Sequence, residues 1–125
     1  MRIHVVGGGL AGSEAAWQVA KSGIPVTLHE MRPIKMTAAH QTGLLAELVC
    51  SNSMKSMADG SAPGLLKREM MALESLVISA ALAAKVPAGQ ALAVNREIFS
   101  NNIQTSLLAT GLVTLASGEV FDIPS

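Results

Sequence analysis

Arg2-Ile3-His4-Val5-Val6-Gly7-Gly8-Gly9-Leu10-Ala11-Gly12 is the stretch on which the reading of the fold turns. Residues 2–6 are a β-rich run that stops abruptly at Gly7, the pattern of a short buried strand closed by a turn. From Leu10 to Lys21 good helix formers dominate, and Ser22-Gly23 supplies a helix stop. Residues 25–30 then read as a second strand, with Pro25 at the start, where its missing N–H is tolerated. Strand, glycine turn, helix and strand together predict a Rossmann-like βαβ unit, and so an α/β fold.

Gly7 to Gly12 fit the pattern G-x-G-x-x-G, and they lie between the predicted strand and helix, the context the pattern requires. Gly7 permits the tight turn, Gly9 lets backbone approach a diphosphate, and Gly12 lets the helix close on the sheet. The N-terminus of the helix adds free N–H groups and the positive end of its dipole. Glu30 ends the second strand, 18 positions past Gly12. A carboxylate there accepts hydrogen bonds from ribose hydroxyls and repels a 2′-phosphate, which favours FAD or NAD over NADP.

Beyond Glu30 the texture changes. Residues 31–63 are broken by Pro33, Gly43, Gly60 and Pro63, with one apolar patch at 44–49, and are expected to form a functional loop. Leu66, Met70, Leu73, Val77, Ala80 and Ala84 recur at helical spacing, predicting a single helix over 64–85. A strand is expected at 91–94, a helix at 96–110, and two short strands at 112–116 and 119–123 around Ser117-Gly118. Residues 1–125 therefore read as the N-terminal part of an FAD/NAD(P)-binding domain that is incomplete, with following helices and short strands.

The 125 residues carry 9 Lys plus Arg against 9 Asp plus Glu, so no basic field is available here to hold a polyanion. With 50% hydrophobic and 14% charged residues the chain is not disordered. The longest charge-free run, 98–118, contains Asn101, Asn102 and Gln104 and is no membrane span. Arg2 followed by a short apolar run and three glycines does not resemble a signal peptide, so a cytoplasmic location is expected. The single cysteine, Cys50, lies between an apolar patch and a polar run and is either an inert buried thiol or a functional one. His4, His29 and His40 have no partner at metal-ligand spacing, and no metal is assigned.

Longer matches narrow the reading. The run Gly7 to Trp17 is followed by Glu30-Met31-Arg32-Pro33, Lys35-Met36-Thr37, Ala46-Glu47-Leu48-Val49-Cys50-Ser51-Asn52-Ser53, Gly64-Leu65-Leu66-Lys67 and Val86-Pro87-Ala88-Gly89. In these the chain resembles the folate- and FAD-dependent tRNA uracil-5 methyltransferases, the TrmFO family. The resemblance implies an FAD enzyme that takes a one-carbon unit from methylenetetrahydrofolate and reduces it with flavin electrons from NAD(P)H. The unit is placed on C5 of a T-loop uridine in tRNA. Cys50 then looks like one of the family's two active-site cysteines, near the isoalloxazine, as nucleophile, base or protector of the flavin. Gly7, Gly8, Gly9, Leu10, Ala11, Gly12, Glu30 and Arg32 form the expected cofactor-binding set. The folate pocket, the second cysteine and the tRNA surface belong to regions the chain does not contain, so alone it is expected to be inactive.

Three positions depart from the family pattern: Leu45 for Phe, Gln90 for Gly and Asn95 for Asp. Two other readings stand beside the first. One is a non-catalytic nucleotide-binding module or decayed gene product; the other is a related FAD enzyme acting on wobble uridines.

Overall fold

A computed structural model describes residues 1–124. The elements run β1 (Ile3–Val6), α1 (Leu10–Lys21), β2 (Val26–Glu30), β3 (Ser53–Ser56), α2 (Ala62–Ala72) and α3 (Leu76–Ala83). β4 (Lys85–Val86), β5 (Ala91–Val94), α4 (Arg96–Ala109) and β6 (Val113–Ser117) follow. β1, β2 and β6 form a parallel sheet in the order β1-β2-β6, with Val5 opposite Leu28 and Leu28 opposite Leu115. β3, β5 and β4 form a second, antiparallel sheet in that order.

The parallel register follows from alternation. Val26 and Leu28 point into the core and are fully buried, while Thr27 and His29 take the opposite face. On α4, Phe99, Ile103 and Leu107 recur every four residues and are all fully buried, so one stripe of the helix closes the core. α1 contributes Ala16 and Ala20, whose small side chains let its backbone approach the sheet. The α/β fold with a Rossmann-like βαβ start is as the sequence predicts.

Three local expectations need correction. The single helix over 64–85 is two helices, broken where Glu74 takes a left-handed φ of 60° and Ser75 becomes a new N-cap, its hydroxyl accepting from Ile78 N–H at 3.2 Å. The cause lies on α1: the Glu14 carboxylate accepts from the Ser75 hydroxyl, from Leu76 N–H at 2.9 Å and from Val77 N–H at 3.3 Å. A negative charge on the first N–H groups of α3 makes a helix start there better than a continued helix. The supposed apolar face divides accordingly. Leu66 and Leu73 are exposed, whereas α2 buries Gly64 and Lys67.

The strand expected at 119–123 is absent. Gly118 donates its N–H to the Glu30 carbonyl at 3.0 Å, which carries the chain over the end of β2 instead of back along β6. Residues 120–124 then border a hollow shared with Arg2 and with His4 and Val6 of β1. Within the long loop, Ser53–Ser56 forms a strand, and Lys85–Val86 forms another after α3, neither announced by its polar or very short sequence.

Candidate functional site: a glycine crevice and its carboxylate

The parallel strands deliver their C-terminal ends to one edge, and there β1 turns into α1. Gly7 takes a φ of +103° and donates its N–H to the His29 carbonyl at 2.7 Å, pinning the turn to β2. Gly9 is the N-cap of α1 and has no side chain with which to cap it, and no acidic residue occupies the first turn. The first-turn N–H groups are thus left without a side-chain acceptor, the arrangement that receives an anion. A Cβ on Gly9 would meet no atom within 4 Å, so the space before the helix is open. A Cβ on Gly12 would lie 1.7 Å from the Gly7 carbonyl oxygen, so only glycine lets α1 approach the turn.

Gly7, Gly8, Gly9, His29, Glu30, Met31, Arg32 and His40 line the resulting crevice, about 350 Å³ in volume. Leu10 and Ala11 open α1 beside it, with Leu10 partly exposed. Glu30 Oε1 accepts from Gly8 N–H at 2.8 Å, and Oε2 accepts from Arg32 N–H at 3.0 Å and Arg32 Nε at 2.7 Å. Three of about four lone-pair positions are thereby used, which leaves the carboxylate room for one further donor. Burial acts to raise the Glu30 pKa, but the Arg32 bonds and the Gly8 N–H outweigh it and hold the group below the ordinary glutamate value.

Arg32 borders the crevice with its guanidinium turned into protein. Its side chain is 2% exposed, and Nη1 and Nη2 donate to the carbonyls of Thr42 at 3.0 Å and Leu44 at 3.1 Å. Nη1 also lies 3.7 Å from Glu47 Oε1. Glu47 in turn accepts from Gln41 N–H at 3.0 Å, Thr42 N–H at 2.7 Å and the Thr42 hydroxyl. Burial opposes its charge, yet these donors and Arg32 hold Glu47 below its usual pKa. Glu47 has no role in the sequence pattern, because the need for a second carboxylate arises only once folding buries Arg32.

Cys50 is exposed and lies outside the residues that line the glycine crevice. Its neighbours Leu48 and Val49 line a second cavity of about 660 Å³, formed with Pro33, Thr42, Leu44 and the α4 residues Arg96, Ser100 and Gln104. The three departures from the family pattern take structural places. Leu45 is buried, and its Cδ2 packs over Gly8, so this side chain fills core. Gln90 accepts Met57 N–H at 2.7 Å through its backbone carbonyl, a bond that a glycine there would also make. Asn95 caps α4 by accepting from Ile98 N–H at 3.0 Å, a task an aspartate shares. Among the described residues, no group of three His, Cys, Asp or Glu is placed to hold a metal ion, and no helix is long and apolar enough to cross a membrane.

The family described as glucose inhibited division protein A matches residues 2–125. The chain belongs to that family. It is 54% identical over 118 residues to the methylenetetrahydrofolate–tRNA-(uracil-5-)-methyltransferase TrmFO of Solibacter usitatus, covering 94% of this chain and 26% of that protein. With the TrmFO of Phenylobacterium zucineum it shares 58% identity over 125 residues, covering 98% of this chain and 26% of that one. The chain therefore spans about a quarter of the length of these curated relatives. Among solved structures, the crystal structure of an MHPCO mutant aligns with a TM-score of 0.51 at 16% identity, over 91% of this chain and 31% of that one. That likeness establishes the fold shared by the two and nothing about their chemistry.

Proposed function

We propose that the glycine crevice holds the diphosphate of FAD and that the chain is the cofactor-binding portion of a tRNA uracil-5 methyltransferase. The observation that carries this reading is the pair of glycines around the turn: open space at Gly9 and no space at Gly12. A cradle of this shape brings backbone N–H groups against phosphate oxygens. Gly7, Gly8, Gly9, Leu10, Ala11 and Gly12 form the cradle, and Glu30 accepts from a ribose hydroxyl with its remaining lone pair. Arg32 serves by keeping Glu30 charged and in place.

Bound FAD would supply the electrons for reduction, and NAD(P)H and methylenetetrahydrofolate would be the co-substrates. Identity above 50% to proteins named as methylenetetrahydrofolate–tRNA-(uracil-5-)-methyltransferases supports this assignment. Cys50 contributes the thiol that such chemistry uses, because C5 of uracil becomes nucleophilic only once a group adds at C6. The tRNA-binding surface belongs to the rest of the protein, and the cytoplasm is its place of work.

Titration with FAD, followed by flavin fluorescence, tests the cofactor reading: wild type binds and Gly9→Val, which fills the open space, does not. Equal binding by both, or by neither, sinks it. In cells, tRNA from a strain lacking the gene should have lost 5-methyluridine from the T-loop; an unchanged level overturns the methyltransferase assignment.

A further inference from the structure

Two separate strips of structure meet at the buried guanidinium of Arg32. One is the cofactor cradle, reached through Glu30, whose other oxygen holds Gly8 N–H. The other is the loop 41–47, reached through the Thr42 and Leu44 carbonyls and Glu47. The same loop touches the cradle directly, since Ala46 donates its N–H to the Gly8 carbonyl at 2.8 Å. Downstream, Asn52 is fixed to β5 by bonds in both directions with Val94, at 3.0 and 3.1 Å. Cys50 therefore lies on a short span between two anchors, and one of them, Glu47, is held by the group that holds Glu30.

We propose that Arg32 and Glu47 are positioning residues that couple occupancy of the glycine crevice to the setting of the Cys50 thiol. This rests on the dinucleotide reading of the crevice. A ribose and diphosphate seated on Gly8 and Glu30 restrain the acceptors of Arg32, and a planar guanidinium with five fixed donors passes a change at one acceptor to the others. Glu47 and its loop follow, and with them the segment that carries Cys50. Coupling of this kind is reciprocal: whatever the ligand does to the thiol segment, a change in that segment does to the ligand's affinity.

The chain has 1 cysteine, so reaction with a chromogenic disulfide reports Cys50 alone. ADP is the decisive probe, because it fills the diphosphate and ribose positions yet lacks the flavin ring that would shield the thiol directly. Saturating ADP should change the Cys50 reaction rate by about fivefold or more, the lower range of site-to-site coupling. Glu47→Gln, with its fold checked by circular dichroism, should still bind ADP while the rate change vanishes. If that variant does not fold, Thr42→Val, which removes the hydroxyl bond to Glu47 together with the one the hydroxyl accepts from Leu44 N–H, should reduce the change instead. An unmoved rate in wild type, or an undiminished change in the folded variant, overturns the coupling and leaves the cofactor reading standing. Absence of FAD binding overturns both. If FAD binds and ADP does not, the same comparison is made with FAD, and a rate change that survives in the variant is direct shielding and rejects the coupling.

Discussion

Gly12 stands so close to Gly7 that the two exclude any side chain between them: a Cβ on Gly12 would sit 1.7 Å from the Gly7 carbonyl oxygen. That oxygen belongs to a turn tied to β2 through the Gly7 N–H, so it has nowhere to retreat. Gly12→Ala must therefore push α1 away from the turn. The expected cost is at the upper end of overpacking, about 3 kcal/mol, together with loss of FAD binding. Gly8→Ala makes a useful contrast, because its new Cβ meets Leu45 Cδ2 at 2.6 Å, the end of a flexible side chain. Denaturant unfolding should rank wild type above Gly8→Ala and Gly8→Ala well above Gly12→Ala. Equal midpoints for the two variants would contradict the packing argument.

Glu14 joins α1 to the start of α3, and its removal should act as the loss of a helix cap. Glu14→Gln should lower stability by about 1 kcal/mol near neutral pH. Burial works to raise the Glu14 pKa, but bonds from Ser75, Leu76, Val77 and Gln18 prevail and hold it below the ordinary value. A carboxylate whose folded-state pKa is depressed contributes stability above its unfolded pKa and loses it as pH falls through the folded one. The gap between wild type and Glu14→Gln should therefore be constant above about pH 5 and close on further acidification. A gap that widens in acid would show that the side chain acts by something other than its charge.

These two cases mark what sequence made legible. The βαβ start was readable because its signals are local: a β-rich run, three glycines and a helical run lie within twenty-one residues and agree with one another. The break at Glu74-Ser75 was not, because its cause is a carboxylate about sixty positions away, and apolar spacing alone runs smoothly across it. Gly118 shows the same limit. Ser117-Gly118 suits a hairpin turn, but the bond to the Glu30 carbonyl decides where the chain goes. In the candidate site, the glycines and Glu30 were visible through spacing, whereas the tie from Arg32 to Glu47 required the loop to be folded first.

Lys67 is 5% exposed on α2, and its ammonium donates to the carbonyls of Ser56 at 3.2 Å and Pro63 at 3.4 Å. Burial, with Lys55 adding repulsion, pulls its pKa below the usual lysine value. The charged form is tolerated because it fastens the end of β3 to α2. Lys67→Met keeps the aliphatic volume and strands both carbonyls, so a loss of about 1–3 kcal/mol is expected. Amide hydrogen exchange should show the effect first in residues 53–58. Unchanged protection there would mean that the ammonium is dispensable to β3.

Both Glu30 oxygens accept in the structure, Oε1 from Gly8 N–H and Oε2 from Arg32 N–H and Nε, so replacing either by an amide N–H₂ sets donor against donor. Glu30→Gln should therefore weaken the hold on Gly8 or on Arg32 and cost about 1–3 kcal/mol in stability. The charge has a second consequence in the crevice. A 2′-phosphate on the ribose would be brought towards a carboxylate kept ionised by Arg32, so ADP should bind about tenfold more tightly than its 2′-phosphorylated form, a difference of about 1.4 kcal/mol. Glu30→Gln should bring the two affinities together. Because the Glu30 pKa is depressed, the carboxylate stays charged from neutral pH down through the ordinary glutamate range, so a fall in discrimination at about pH 6 reports protonation of the 2′-phosphate and a loss below the glutamate range reports Glu30. Competition titrations of the two nucleotides, run at several pH values on wild type and variant, measure this directly. Equal affinities in wild type at neutral pH would remove Glu30 from the ribose site while leaving the glycine cradle untouched.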